Sequence, residues 1–188
     1  MAFNVQQFRA SLQLDGARAS LFEVVMNLPP AAGFTALDQE IRFKARATSL
    51  PGDSMSSISV PYFGREIKVA GTRTFPDWSF TVINDENFLI RNNLELWMSA
   101  LNAHVANIRN PATATMAQYQ ADAMVTQYAK TGEIIKQYKM IGCFPTDVAA
   151  IDLDWSEGDR IEEFTVTLAY QWWECIFPVP TTDTVGVI

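Results

Sequence analysis

The side chains that could carry chemistry are densest between Asp152 and Glu163, in the run DLDWSEGDRIEE. Asp152, Asp154, Ser156 and Glu163 stand at positions one, three, five and twelve of a calcium-loop template, where oxygen ligands must converge on one cation. The template fails at position six: Glu157 sits where the sharp turn needs glycine, and Gly158 comes one residue late. The flanks alternate as strands do, so the run reads as a turn between two strands. Asp152 and Asp154 share one strand face, as paired carboxylates in an acid/base site might, whereas Glu162 and Glu163 point to opposite faces. Solvated charge accounts for all four.

Other chemistries find less support. His104 is the single histidine, which leaves little scope for a metal cluster or a nucleophile–histidine pair. Glycine-rich phosphate-cradling motifs are missing. Tyr170, Trp172 and Trp173 could stack a sugar or a base, but at strand spacing such aromatics serve core or interface. Cys143 and Cys175 form no CxxC and suggest neither a disulfide framework nor a thiolate metal site. They are expected to be reduced, packed side chains in a cytosolic setting. The reading is non-enzymatic, with no catalytic, cofactor-binding or metal-binding residue.

The 188 residues, 48% hydrophobic, suit one domain spanning 1–188 with an ample core. A net charge of −7 argues against a grip on nucleic acid through phosphate neutralisation. The first residues lack a basic start followed by an apolar run, so secretion by a cleaved signal is not expected. The apolar stretch VTLAYQWWECIFPVP is broken by Gln171, Glu174 and Pro178 and is too short to span a membrane. A soluble protein is expected.

Period-two alternation supplies most of the elements. EEFTVTLAYQW places Phe164, Val166, Leu168, Tyr170 and Trp172 on one face of a long strand. EIRFKARAT repeats the device, with Ile41, Phe43, Ala45 and Ala47 inward and Arg42, Lys44 and Arg46 outward. Trp78, Phe80 and Val82 alternate likewise, after which Asn84 or Asp85 caps a helix whose apolar face carries Ile90, Leu94, Trp97, Met98 and Leu101. Further strands are expected at LFEVVMN, ADAMVTQYAK, EIIKQYKMIGCF and VAAIDLDW, with turns at Phe63-Gly64, Thr131-Gly132 and Glu157-Gly158. Leu50 to Gly71 reads as a loop leading into a projecting hairpin. ADAMVTQYAK and EIIKQYKMIGCF show no continuous apolar face, which suggests that one face looks into water. NLPPAAGFTALD and NAHVANIRNPATATMAQYQ read as loops that reach a neighbour. The fold is mainly antiparallel β, with one flanking α-helix.

Four ordered blocks then point to a family: FKARATSLP at Phe43–Pro51, GREIKVAGTRTFPDWSFTVINDE at Gly64–Glu86, GCFPTDVAAIDLDW at Gly142–Trp155, and EEFTVTLAYQWWE at Glu162–Glu174. With LFEVV near the start they span nearly the whole chain, which resembles the tail tube proteins of contractile-tailed bacteriophages. That resemblance implies an antiparallel β-sandwich with a flanking helix, whose strands join those of neighbours into a continuous barrel. Six copies per ring and stacked rings would form a hollow tube inside a contractile sheath. The partners implied are further copies of the chain, the sheath protein, a baseplate tube initiator and a tail terminator, with DNA passing through the lumen without specific binding. The implied location is the virion, after assembly in the host cytoplasm.

Carried onto this sequence, the family's hairpin between rings maps to Leu50–Gly71. Met55, Ile58, Val60, Tyr62 and Phe63 are its candidate apolar contacts, and Arg65 and Lys68 its polar ones. Gln127, Lys130, Lys136 and Lys139 become candidates for the lumen wall, and Phe75, Trp78 and Phe80 for the core. The segment 175–188 is a tail beyond the last block, where Pro178 and Pro180 argue against another central strand. The alternatives within this architecture are the tube of a phage-tail-like bacteriocin or a type VI secretion apparatus, and a baseplate tube initiator. The rival of another class is a β-sandwich hydrolase or carbohydrate-binding module built on Trp172, Trp173 and the Asp152/Asp154 pair.

Overall fold

A computed structural model describes residues 4–12, 16–29, 38–156 and 158–178. Two faces of alternating side chains meet in one core. In β5 (Trp78–Ile83) the residues Trp78, Phe80 and Val82 are buried, and their ladder partners on β8 (Glu163–Ala169) are Leu168, Val166 and Phe164, also buried. Residues directly opposite in a ladder share a face, so these six form a single apolar plate. The second plate comes from β1 (Phe22–Met26), β6 (Ala121–Tyr128) and β7 (Ile134–Val148), which bury Val24, Met26, Ala123, Val125 and Met140. The β6–β7 pair therefore has the apolar face that alternation alone did not reveal. It is built from alanine, valine, methionine and Cys143, which look unremarkable among lysines and glutamines.

The two plates are halves of one sheet, ordered β1-β6-β7-β8-β5-β2, where β2 is Ala45–Thr48 and β9 (Trp172–Phe177) also pairs with β7. All its pairings are antiparallel, and the sheet is open, with β1 and β2 at its ends. The fifteen-residue β7 belongs to both halves: its 144–148 portion pairs with β8 and its 137–141 portion with β9. The join is at Gly142, whose φ of +70° suits glycine. Opposite it, Ala121 and Ala123 face Cys143 and Met140, so β7 carries one extra residue, a bulge that bends the strand. A Cβ on Gly142 would lie 2.9 Å from Gln171 Cγ.

The chain from β8 to β9 follows this bend. Tyr170 and Gln171 leave the strand conformation while the Gln171 N–H still donates to Ile141 O at 2.9 Å. The single long strand expected for EEFTVTLAYQW is thus two, and beyond the corner Trp172 turns outward while Trp173 packs against the core.

One side of the core is closed by α3 (Leu89–Leu101), which buries Ile90, Leu94 and Trp97 at the spacing of one helical face. The Trp97 indole N–H donates to Tyr119 O at 2.9 Å. Neither Asn84 nor Asp85 caps this helix: its N-cap is Phe88, at φ +51° and with no side-chain bond. A turn at Glu86–Asn87 intervenes. Asn84 is instead buried and donates its amide to Glu162 Oε2 at 2.8 Å, and Asp85 takes Lys44.

EIRFKARAT changes period in its middle. Its first part is the helix α2 (Asp38–Lys44), following the short α1 (Val5–Ser11), and only Ala45–Thr48 is strand. Residues two apart share a strand face but point nearly opposite ways on a helix. Ile41 is accordingly buried and Phe43 exposed, and the Glu40–Lys44 ion pair marks the four-residue spacing. VAAIDLDW is not a strand beyond Val148, because β8 begins only at Glu163 and the Ala149 N–H makes the last bond to it, to Thr165 O. NAHVANIRNPATATMAQYQ holds a 3-10 turn at Pro111–Thr113 and the short α4 (Met116–Tyr119). Residues 30–37 of the early loop, and the tail from 179 onward, lie outside the described residues. No helix among the described residues is long and apolar enough to cross a membrane.

Trp97→Ala should cost about 3–5 kcal/mol in a urea titration, since it empties a fully buried site and orphans the Tyr119 carbonyl. A second expectation concerns alkali. Burial pushes the Cys143 thiol from 9.0 to about 12. The hydrogen bond to Glu23 raises Tyr128, burial raises Tyr170, and Lys44 is raised by Asp85 and Glu40, which outweigh its burial. Each group holds its proton more tightly when folded, so the stabilisation is complete below the unfolded values and disappears as pH climbs through the folded ones. Urea midpoints should hold at neutral pH and fall between pH 9.0 and about 12.

Candidate assembly surfaces

The segment joining β2 to β5 leaves the body as a two-stranded ribbon, β3 (Ser54–Tyr62) and β4 (Arg65–Thr74). Every residue of β3 is exposed. The register pairs Ile58 with Val69 and Val60 with Ile67, and these four, with Tyr62, make one apolar face that stays exposed among the described residues. Arg65, opposite Tyr62, shares that face, whereas Lys68, opposite Ser59, lies on the polar one. Met55 is exposed beside a register shift near the root and stands opposite Arg73. Ile67 and Val69 are additions to the expected contacts, signalled by the same alternation that marked Ile58 and Val60. The ribbon also runs on to Thr74, beyond the expected end at Gly71.

The tip is a two-residue turn with positive φ at both positions, +44° for Phe63 and +79° for Gly64. Such turns favour Asn-Gly, and a phenylalanine in the left-handed region is strained. Phe63 nonetheless occupies it, 92% exposed, edge-on to Tyr62 with ring centres 4.7 Å apart.

The root is held by aromatic side chains. Trp78 Nε1 donates to Ser49 O at 2.7 Å, and Trp173 Nε1 and Tyr170 Oη donate to Gly52 O at 3.1 and 3.3 Å. Arg73 pairs with Asp53 and lies over the rings of Phe75 and Trp173. The aromatics that could have stacked a ligand are thus divided: Tyr170 and Trp173 fix the ribbon's base, and Trp172 turns outward with its indole N–H on Glu174 at 3.1 Å.

The four lumen-wall candidates do not share one surface. Gln127 and Lys136 face each other across β6 and β7 on the side that carries Val125 and Tyr138. Lys139 lies on the opposite, outward side, bonded to Asp122 at 2.7 Å and directly across from Glu174. Lys130 belongs to the turn between β6 and β7. The Lys136 ammonium sits 5.3 Å from the centre of the Tyr138 ring, and Cys175 beside it raises its pKa.

The run that begins at Asp152 lies between β7 and β8, and its last residue, Glu163, opens β8. Asp154 Oδ1 accepts from Ser156 N at 2.9 Å and from Ser156 Oγ at 2.7 Å, and these bonds hold its carboxyl below the usual range. Asp154 therefore shapes a turn. Glu162 is bonded to Asn84, and Glu163 is paired with Arg46. No three His, Cys, Asp or Glu among the described residues converge to hold a metal. His104 is exposed in the turn after α3. What these surfaces offer is contact area and unpaired strand edges.

The comparisons with known proteins agree with that character. A family model described as phage tail tube protein matches residues 17–176. The tail tube protein gp19 of Enterobacteria phage T4 is 36% identical over 162 residues, covering 85% of this chain and 92% of that protein. The tail tube protein of Serratia phage KSP90 is 26% identical, covering 88% and 93%. Among solved structures, the tube-terminating cap of an anti-feeding prophage superposes with a TM-score of 0.61 at 15% identity, over 85% of this chain and 89% of that one. The sheath-tube complex of an extracellular contractile injection system, PVC, gives 0.59 at 12% identity, over 93% and 100%. These two show a common fold. The chain belongs to the phage tail tube protein family.

Proposed function

We propose that this chain is a non-enzymatic structural subunit that assembles into stacked hexameric rings, the inner tube of a contractile phage tail through which DNA is ejected. The observation that carries this reading is the β3–β4 ribbon: an apolar face left bare in the protomer, on a firmly rooted arm, fits a subunit that completes itself against another copy. The open sheet adds to it, because β1, β2 and β9 each have a free edge among the described residues that lateral neighbours could continue into a barrel. The partners would be the sheath, a baseplate initiator and a terminator, and assembly would take place in the host cytoplasm. The whole of 1–188 would act as one domain in this role.

The lumen wall is then best assigned to the outward face of β1, β6, β7 and β9. There Lys139 stands between Asp122 and Glu174, so the basic group is locally neutralised and the wall offers DNA little to hold. A chain of an extracellular contractile injection system's sheath-tube complex shares the fold, but the 36% relative is a phage protein, and that favours the phage reading over a secretion or bacteriocin tube.

Negative-stain microscopy of the purified chain over a concentration series should show hollow filaments with sixfold end views. A chain that remains a protomer and binds a sugar or calcium would overturn the reading. Phe63→Asn separates folding from assembly. Asparagine tolerates the left-handed turn, so the variant should melt at or slightly above the unmodified chain, yet fail to form long tubes. Replacing Tyr62 and Phe63 together with alanine should give the same split between an intact fold and lost polymerisation.

A further inference from the structure

Among the exposed apolar side chains outside the ribbon's own face, three belong to the β7–β8 loop. Trp155 is fully exposed there, and Leu153 and Ile161 are 80% and 66% exposed. The same run carries Asp152, Asp154, Asp159 and Glu162 against one basic residue, Arg160. The loop encloses a cleft of about 170 Å³ whose lining includes Asp152, Leu153 and Asp154. Turn bonds at Asp154 and the Glu162–Asn84 bond fix two points of the loop.

Its character is the complement of the ribbon's. The ribbon tip presents Tyr62 and Phe63 with Arg65 on the same face and Glu66 and Lys68 on the other, a net positive charge, and the loop presents a tryptophan and two aliphatic side chains in a net acidic run. The topology also puts the two at opposite ends of the same half-sheet. The ribbon leaves from the end where Trp78 lies beside Leu168, and the loop closes the end where Ile83 lies beside Glu163. Between Trp78 and Ile83 the strand advances about 17 Å at the usual rise per residue. Two unlike, complementary surfaces at opposite ends of a subunit form a heterologous contact, which repeats along an open array unless its rotation closes a ring.

We propose that the β7–β8 loop of one copy is the receptor for the β3–β4 ribbon tip of the next, with Leu153, Trp155 and Ile161 as apolar contacts and the loop carboxylates flanking the tip on both faces, toward Arg65 on the apolar one and Lys68 on the polar one. This deepens the tube reading above and rests on it: it assigns to the ribbon a specific acceptor on a second copy of this chain. Arg65 stacking on the exposed Trp155 face would add orientation to the charge match. The strain at Phe63 has a place in this contact, since the tip gains an aromatic side chain where a turn would otherwise take asparagine.

The test is a charge exchange in the full chain. R65E with K68E should lose tubes at concentrations where the unmodified chain forms them, and so should D152K with D159K. A chain carrying all four substitutions should recover them. Intact tubes from the loop variant alone, or no recovery in a combined chain that melts normally, would overturn the proposal. Disulfide trapping reads the contact independently of tube length. Cys143 and Cys175 are both buried, so a mixture of F63C chains and L153C chains should give a cross-linked heterodimer on oxidation. Tubes from the unmodified chain without that heterodimer would reject the receptor and leave the tube reading standing. Failure of the unmodified chain to assemble under any condition would count against the tube reading itself, and the cross-link would then judge the contact alone.

Discussion

The structure depends on a single bend. β7 serves both halves of the sheet, and it can do so only because one extra residue at Gly142 turns the strand through the corner. From that corner follow the meeting of the two apolar plates, the path of β8 into β9, and the inward placement of Trp173. A Cβ at Gly142 would come within 2.9 Å of the Gln171 side chain, in the link between β8 and β9 at the same corner. The core is therefore not two sheets that happen to pack, but one sheet folded back on itself around a shared strand.

A second constraint works against the first. A soluble protomer normally buries its apolar faces, yet this chain keeps one exposed on the ribbon and another in the β7–β8 loop. Among the described residues it also leaves strand edges unpaired, which isolated proteins usually block with charge, proline or bulges. The ribbon does carry Pro61 and a register shift near its base, and its other face is polar, so the exposure is confined to one side. A surface of this kind is costly for a protein that stays alone and useful for one that stays alone only briefly.

Much of the fold was legible because alternation over six or more residues has few interpretations. Trp78, Phe80 and Val82, their partners on β8, and the ribbon around Phe63-Gly64 all fell where the pattern put them. The helix α3 was equally clear from Ile90, Leu94 and Trp97. Two things hid the rest, runs too short to fix a period and contacts distant in sequence. Ile41 and Phe43 looked like one strand face because a run of seven residues is too short to separate a period of two from one of 3.6. The faces of Gln127, Lys136 and Lys139 depend on which residues pair across β6 and β7, which a local pattern does not reveal. The roles of Trp173 and Tyr170 at the ribbon's root likewise arise from contacts across more than a hundred residues of chain. The family resemblance carried the assembly reading where the local pattern could not.

The clamp at that root has a mechanical consequence. Three aromatic donors bond the backbone at Ser49 and Gly52, and Arg73 holds the returning strand at Asp53. An arm seated in this way has little angular play, so whatever grips its tip is set at a fixed rotation and offset from the body that bears it. Repeating one fixed rotation and one fixed offset generates a screw. The helical pitch of such an assembly would then be set less by the tip that makes contact than by the indole and phenol groups at the arm's base.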